Sequence, residues 1–597
     1  MKQMKSITES IKAFIQSLPG TFDEEERRLV FQSIIIGVVV WAIVFTLREA
    51  VHWAFHTTLH YLEELGHGIA LLLVFVPLFI GALLVSFIVK FRSTQIHYRD
   101  DEGNIHELTD VEGDGLERAI SLYYSSEPAF EQVLQGQEGL DARWQLPTFS
   151  LSVRKWLATL ITLGSGGSGG LEASVTLIGE STAAGLFKPH SPVTAVRESH
   201  SIFNRIVSWW QAGDTDDLQT AQLSGIAAAV AVLLGAPFAA AFFATEVMYR
   251  QRPILEKLMY SLISALIAYF LTNVVTGGHS GIFEVEQTYV PPNNIQYGGV
   301  LLLMSGIISL VSIVFGKLRA KGEHAFHHKM PIAWQRHLVG AAITGAIAIL
   351  VAVLTYQLDL TEHGLELILG SGETVINAAL AGKITLAVAS IALIAKIPAT
   401  IATVGSGGSA GLLVPSIFFG TMVAAGLADL FGYEPMVLIV PGITASLVSI
   451  VNVPLAAILF TIEVFGASYM IPALLVLVIT SILAHDRTIY RTQREKLSKR
   501  QILPGVSSRR ITVPPTWWGK TIIDLDFRQQ FDLNVVGLVE HRDESGTPRV
   551  RLDLSPTIPL EEGDVLVVLG RDEKLENLEK FVRDQRDAAY EQKEMAT

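Results

Sequence analysis

Residues 155–179 read KWLATLITLGSGGSGGLEASVTLIG, an apolar stretch with a Gly/Ser-rich centre whose only acidic residue is Glu172. The segment has a twin. Residues 396–420 read KIPATIATVGSGGSAGLLVPSIFFG, and at a constant offset of 241 the two share 12 of 25 residues. Shared positions include Lys155/Lys396, Thr159/Thr400, Thr162/Thr403, Gly170/Gly411 and Gly179/Gly420. Two glycine-broken apolar segments in corresponding places point to a repeat-built transporter with its site between the halves. A second pair keeps the same order: NVPLAAILFTIEV at 452–464 echoes GAPFAAAFFATEV at 235–247 at six of thirteen positions. The chain therefore reads as a two-fold internal repeat, with halves at about 29–276 and 298–490.

Composition agrees. Half of the 597 residues are hydrophobic and only 17% are charged, against roughly 25% in soluble proteins. The charges gather in 1–30, 92–145, 188–220 and 485–597, with long apolar runs between. Several runs reach the ~20 residues that span a bilayer, which disfavours a soluble α/β enzyme. The predicted spans are 29–47, 69–89, 153–163, 173–187, 223–247, 258–276, 298–317, 338–356, 377–404, 411–431, 436–465 and 469–484. Basic flanks at Lys90, Arg92 and 317–337 place those ends on the cytoplasmic side. The first 28 residues lack the layout of a cleaved signal peptide, so the first helix is expected to be retained as a span. The net charge of −13 sits largely in the polar parts and argues against nucleic-acid binding. Without cysteine there is no disulfide framework or thiolate metal site.

His52, His56 and His60 recur at i, i+4 and i+8 on one helical face. An interfacial connecting helix explains them better than a metal site. His324, His327 and His328 read as part of a solvated loop. No metal or cofactor is expected, and no nucleophile–base constellation lies in one segment, so the chain does not read as an enzyme. After 485 the character changes. Residues 491–509 form a polar linker, 510–581 a small α+β domain with short strands, and 582–597 a tail.

The 164–169 stretch matches GxGxxG, yet its helical flanks exclude the strand–turn–helix setting that a dinucleotide site needs. Broken helices supply a better reading. At each break the backbone N–H groups lack intrahelical partners and the next helix presents its positive end. Two breaks aimed at one midplane point would hold an anion through partial charges, weakly enough to release it. Glu172 stands where that anion would sit. An intramembrane carboxylate is functional by default: it can occupy the anion site and leave on protonation. The alternative is a structural carboxylate paired with Lys155 or a backbone donor. The aligned residue of the second half is Leu413, so one half alone carries the acid.

At these residues the chain resembles the CLC family of chloride channels and proton-coupled chloride exchangers, over roughly 29–490. GLEAS at 170–174 corresponds to the family's gating motif, with Gly170 before and Glu172 at the gating glutamate. AGLLVP at 410–415 corresponds to its later glycine-proline motif, and the resemblance implies that the amides of Leu412 and Leu413 face the anion. Tyr490 matches a tyrosine whose hydroxyl contacts it. The resemblance also implies an all-α polytopic membrane fold of two inverted halves with broken helices, a homodimer with one pore per subunit, and chloride with protons as the ions moved. The chain departs from the pattern in three places. Asp114, in Gly113-Asp114-Gly115, replaces the serine of the first anion-site motif. Ionised, it would repel chloride and occupy the same helix N-terminus; protonated or bound to a cation it would lead elsewhere. The inner proton-carrying glutamate aligns with Val247, leaving Glu246 or Asp114 as the possible proton path. Ala173 and Ser174 replace a Gly-Pro pair. Residues 510–581 resemble the TrkA-C domain of potassium-channel regulators, PLEEGDVLVVLG at 559–570 above all. That implies a prokaryotic inner-membrane protein with a cytoplasmic domain that binds a small ligand. The readings left open are an anion channel or carrier gated by Glu172, a proton-coupled exchanger, a carrier of another ion such as a cation, and a sensor that has lost conduction.

Overall fold

The computed structural model describes residues 24–64, 68–92, 95–99, 105–109, 111–124, 146–187, 215–248, 254–278, 289–361, 363–484, 506–540 and 555–571, with shorter pieces between and after them. The first 23 residues, the charge-rich stretch at 125–145, most of that at 188–220, and most of the linker and of the tail lie outside the described residues.

The chain divides into two compact units. The larger is helical. In chain order the first half runs α1 (Glu24–Glu64), α2 (Phe75–Arg92), strands β1 (Gln95–Arg99) and β2 (Ile105–Thr109), α3 (Leu116–Tyr124), α4 (Phe149–Gly164), α5 (Glu172–Phe187), α6 (Thr215–Leu234), α7 (Pro237–Glu246) and α8 (Leu255–Thr276), residues 97–106 belonging to the smaller unit. The second half runs α9 (Ile295–Lys329), α10 (Ala333–Gln357), α11 (Glu373–Leu380), α12 (Leu386–Gly405), α13 (Leu413–Phe431), α14 (Pro435–Ser446), α15 (Pro454–Phe465) and α16 (Met470–Ala484). Among the described residues, eight helices are long and apolar enough to cross a membrane.

Several expected boundaries move. The first helix continues past residue 47 to Glu64, because neither Gly nor Pro lies between 48 and 64, and the histidines ride on it. The basic link after 317 is helical to Lys329. The spans expected at 223–247, 377–404 and 436–465 each break in two, at Gly235 (φ 66°), Gly382 (φ 74°) and Asn452 (φ 64°). Each break turns the chain through a left-handed residue, and Pro237 and Pro454 start the next helix where their missing N–H is harmless.

Burial separates a shell from a centre. The apolar windows of α2 and α8 are 28% buried, whereas that of α6 is wholly buried and that of α13 is 89% buried. Glycine lets the central helices touch. A Cβ on Gly179 would lie 2.3 Å from the carbonyl of Gly225, joining α5 to α6, and one on Gly420 would lie 2.6 Å from that of Gly442, joining α13 to α14. The two halves thus repeat one backbone-to-backbone crossing.

The smaller unit includes a five-stranded antiparallel sheet in the order β3-β4-β7-β5-β6, built from Gln501–Leu503, Val506–Thr512, Asn534–Glu540, Arg549–Arg551 and Val565–Arg571. β3 and β4 begin ahead of the expected boundary at 510. Ile511, Trp517, Phe527, Leu538, Leu566 and Val568 form its own core.

Candidate functional site

The twin segments lock onto each other through reciprocal bonds. Gly170 N donates to Gly411 O at 2.8 Å and Gly411 N to Gly170 O at 2.5 Å. Ser168 Oγ meets Thr400 Oγ1 at 3.1 Å, and its repeat mate Ser409 Oγ meets Thr159 Oγ1 at 2.9 Å. The amides of Ser168 and Ser409 donate to Thr403 and Thr162 hydroxyls, each at 3.1 Å. The backbone freed at each glycine break is therefore satisfied partly by its own preceding helix, through Gly166, Gly167, Gly407 and Gly408, and partly by the other half. Glycine is required at the crossing itself, since a Cβ on Gly411 would stand 2.8 Å from Ala173 N.

The repeat lysines, both wholly buried, act alike. Lys155 Nζ donates to the carbonyls of Gly113 (2.8 Å) and Val111 (3.2 Å). Lys396 Nζ donates to those of Gly370 and Ile368, both at 2.9 Å. The two loops so held are themselves a repeat that sequence reading missed: Gly113-Asp114-Gly115 and Gly370-Ser371-Gly372, at an offset of 257. Their glycines share conformations, with φ of 72° and 67° at the first position and 88° and 87° at the second. Paired left-handed glycines two apart, each just ahead of a helix, were the available signal.

Three helix N-termini meet here. Asp114 Oδ1 accepts from the amide of Leu116, the first residue of α3, at 2.9 Å. Its Oδ2 accepts from the amide of Leu412, at the cap of α13, also at 2.9 Å. Glu172, the first residue of α5, accepts from Val414 N at 3.4 Å through Oε2. Two carboxylates thus take amides two residues apart on the first turn of α13, with Leu413 between. The negative ends of both side chains meet positive helix ends, the arrangement that holds anions in general. Glu172 Oε1 and the hydroxyl of Tyr490 are buried without a hydrogen-bond partner among the described residues. The charges of Asp114 and Glu172 both act on Tyr490. Buried polar atoms of this kind mark a place where a small ligand or water completes the bonding. The sequence-selected residues Asp114, Gly170, Glu172, Leu412, Leu413 and Tyr490 therefore come from four separate segments to one place.

A cavity of about 530 Å³ adjoins this point, with Asp114 and Leu412 in its wall together with Lys90, Glu112, Arg118 and Arg319. Arg319 of α9 is buried, donates to Ile489 O and pairs with Glu117 at 3.3 Å. Arg336 of α10 pairs with Glu112 at 2.6 Å, and His337 lies 2.9 Å from the same oxygen. These buried ion pairs tie the second half to the loop that carries Asp114. Sequence reading missed both arginines, because in the basic 317–337 stretch a buried, paired cation looks like its charged neighbours until the fold supplies the partner.

Glu246 lies elsewhere. Its two oxygens accept from the amides of Leu455 (3.2 Å) and Ala456 (2.9 Å) at the start of α15. Its repeat mate Glu463 accepts from Phe238 (3.0 Å) and Ala239 (2.9 Å) at the start of α7. Each acid caps the helix of the other half. Among the described residues no three His, Asp or Glu side chains gather as metal ligands; the His52 and His56 rings lie 4.2 Å apart by centroid, tilted by 57°.

Comparison with known proteins fits this architecture. A fluoride/proton antiporter of CLC type superposes with a TM-score of 0.57 at 20% identity, covering 80% of this chain and all of that one. A slow cyanobacterial Cl−/H+ antiporter gives 0.56 at 18% identity, covering 78% and 96%. The H(+)/Cl(-) exchange transporter ClcA of Vibrio vulnificus is 21% identical over 504 residues, 80% of this chain and 92% of its own length. The voltage-gated ClC-type chloride channel ClcB of Salmonella typhimurium is 24% identical over 354 residues, 57% of this chain and 75% of that one. The TrkA-C domain matches residues 506–583. The family model for the voltage gated chloride channel matches residues 122–485, well over half of the chain, so this protein is a member of that family, with a TrkA-C domain following its membrane part.

Proposed function

We propose that the protein moves a small inorganic anion, chloride first among them, across the prokaryotic inner membrane, with Glu172 as its gate. The observation that carries this reading is the meeting of three helix N-termini on two carboxylates, beside a buried Tyr490 hydroxyl with no hydrogen-bond partner among the described residues. Carboxylates seated on helix amides occupy anion positions, and one that leaves on protonation opens the position to an ion. The bound anion sits against Leu412, Leu413 and Tyr490, with Gly170 giving the backbone close approach.

Proton exchange is the second reading, favoured by relatives named as H(+)/Cl(-) exchangers. Glu172 is then the carrier. Glu246 is a weaker candidate for the proton path, since both of its oxygens already hold helix amides. The functional unit is a homodimer, and the TrkA-C domain lies in the cytoplasm and adjusts transport through a small ligand. The test is flux from liposomes holding purified protein, with chloride and with nitrate, alongside a pH electrode. Anion efflux supports the reading, and coupled proton uptake selects the exchanger. Alkali-cation flux without anion flux sinks it.

A further inference from the structure

The loop bearing Asp114 and its twin bearing Ser371 share the same glycine conformations, the same lysine anchor and the same place before a helix. Only the central residue differs. In the twin, Ser371 Oγ lies 3.4 Å from Glu373 N, the weak counterpart of the 2.9 Å bond between Asp114 and Leu116 N. Asp114 does more than its mate: its second oxygen reaches across to Leu412 N on the other half. A carboxylate with both oxygens on backbone amides at two helix N-termini is bonded as a free anion would be.

We propose that Asp114 is a tethered competitor of the transported anion: it holds the inner amides itself, and an ion passes only when the side chain turns into the adjoining cavity. This rests on the anion-transport reading above, and it gives the path a second carboxylate plug, in series with Glu172.

The motion belongs to the side chain. Lys155 pins the carbonyls on both sides of Glu112, and a Cβ on Gly115 would stand 2.8 Å from Ala173 O, so the loop backbone is fixed. The cavity supplies the room, and its Arg319 supplies the charge that receives the carboxylate. Arg319 and Lys155 both attract the Asp114 carboxylate, while Glu117 repels it. The Tyr490 hydroxyl and Glu172 Oε1, both buried and without a hydrogen-bond partner among the described residues, are a second, independent sign that an ion or water enters between the two plugs.

Asp114→Ser gives the loop the central residue its own twin already carries, and Asp114→Asn keeps the shape without the charge. Both are made in the full-length protein and checked by thermal melting, so that if one fails to fold the other carries the test. Chloride binding is measured by calorimetry in detergent, and chloride efflux from liposomes at low chloride. Removing a like charge from the site tightens binding at least about tenfold and raises efflux at low chloride. Unchanged or weaker binding in the folded variants overturns the proposal. So does an alkali-cation flux in the wild type that Asp114→Ser abolishes, since Asp114 would then be a cation ligand. Tighter binding without anion flux in any form keeps the tether and fails the transport reading, which separates the two.

Discussion

Glu172 and Lys155 act through what each touches. The Glu172 carboxylate holds Val414 N with one oxygen, and its other oxygen has no partner among the described residues. A glutamine there keeps the shape and cannot change charge. Glu172→Gln is therefore expected to leave anion flux in liposomes whose dependence on pH between about 4 and 8, the span across which buried carboxylates titrate, shrinks to the part that Asp114 sets and vanishes when Asp114→Asn is added. Flux that still follows pH as in the wild type argues against the gate. Lys155 is wholly buried and satisfies two carbonyls of the Asp114 loop. Lys155→Met removes both donors, and each abandoned acceptor costs about 1–3 kcal/mol. A lowered melting temperature together with reduced flux is the expected result. A full-strength melt would mean that water replaces the ammonium group.

Two helices in this fold start on an acid supplied by the opposite half. Glu246 caps α15 and Glu463 caps α7 through equivalent pairs of amides. Capping side chains contribute about 0.5–2 kcal/mol each. Glu246→Ala and Glu463→Ala are expected to lower the melting temperature by similar amounts, as the repeat relation requires. If Glu246→Gln abolishes proton uptake while leaving the melt unchanged, a proton role outweighs the cap. The glycine crossing is stricter. A Cβ on Gly225 would lie 2.2 Å from Gly179 O, and backbone cannot yield as a side chain end can. Gly225→Ala therefore forces α5 and α6 apart, at a cost of about 1–3 kcal/mol or more, read as thermal destabilisation in detergent.

The whole molecule joins a helical unit to a sheet unit that has its own core. Leu566 on β7 is fully buried in that core. Leu566→Ala leaves a cavity worth about 2–5 kcal/mol. The expected outcome is a lower unfolding transition for the sheet unit, with the transition of the helical unit unmoved. One shared shift would mean that the two units unfold as one. Much of this organisation was legible in the chain. The 241-residue offset, the glycine breaks and the lone acid Glu172 led to the region where the α3, α5 and α13 N-termini meet. The breaks at Gly235, Gly382 and Asn452 were not read, because hydropathy stays high across each of them while the backbone turns on one left-handed residue.

Sequence alone determined the repeat, the membrane class and the glycines, because these depend on composition and period along the chain. Which groups bond at the site was decided by tertiary structure. Asp114 and Leu412 lie 298 residues apart, and only the packing of the two halves sets a carboxylate of one on an amide of the other. The same holds for Glu112 with Arg336, and for each repeat lysine with the loop it pins. Backbone amides carry no residue identity, so their role as ligands appears only when helices are aimed at one point.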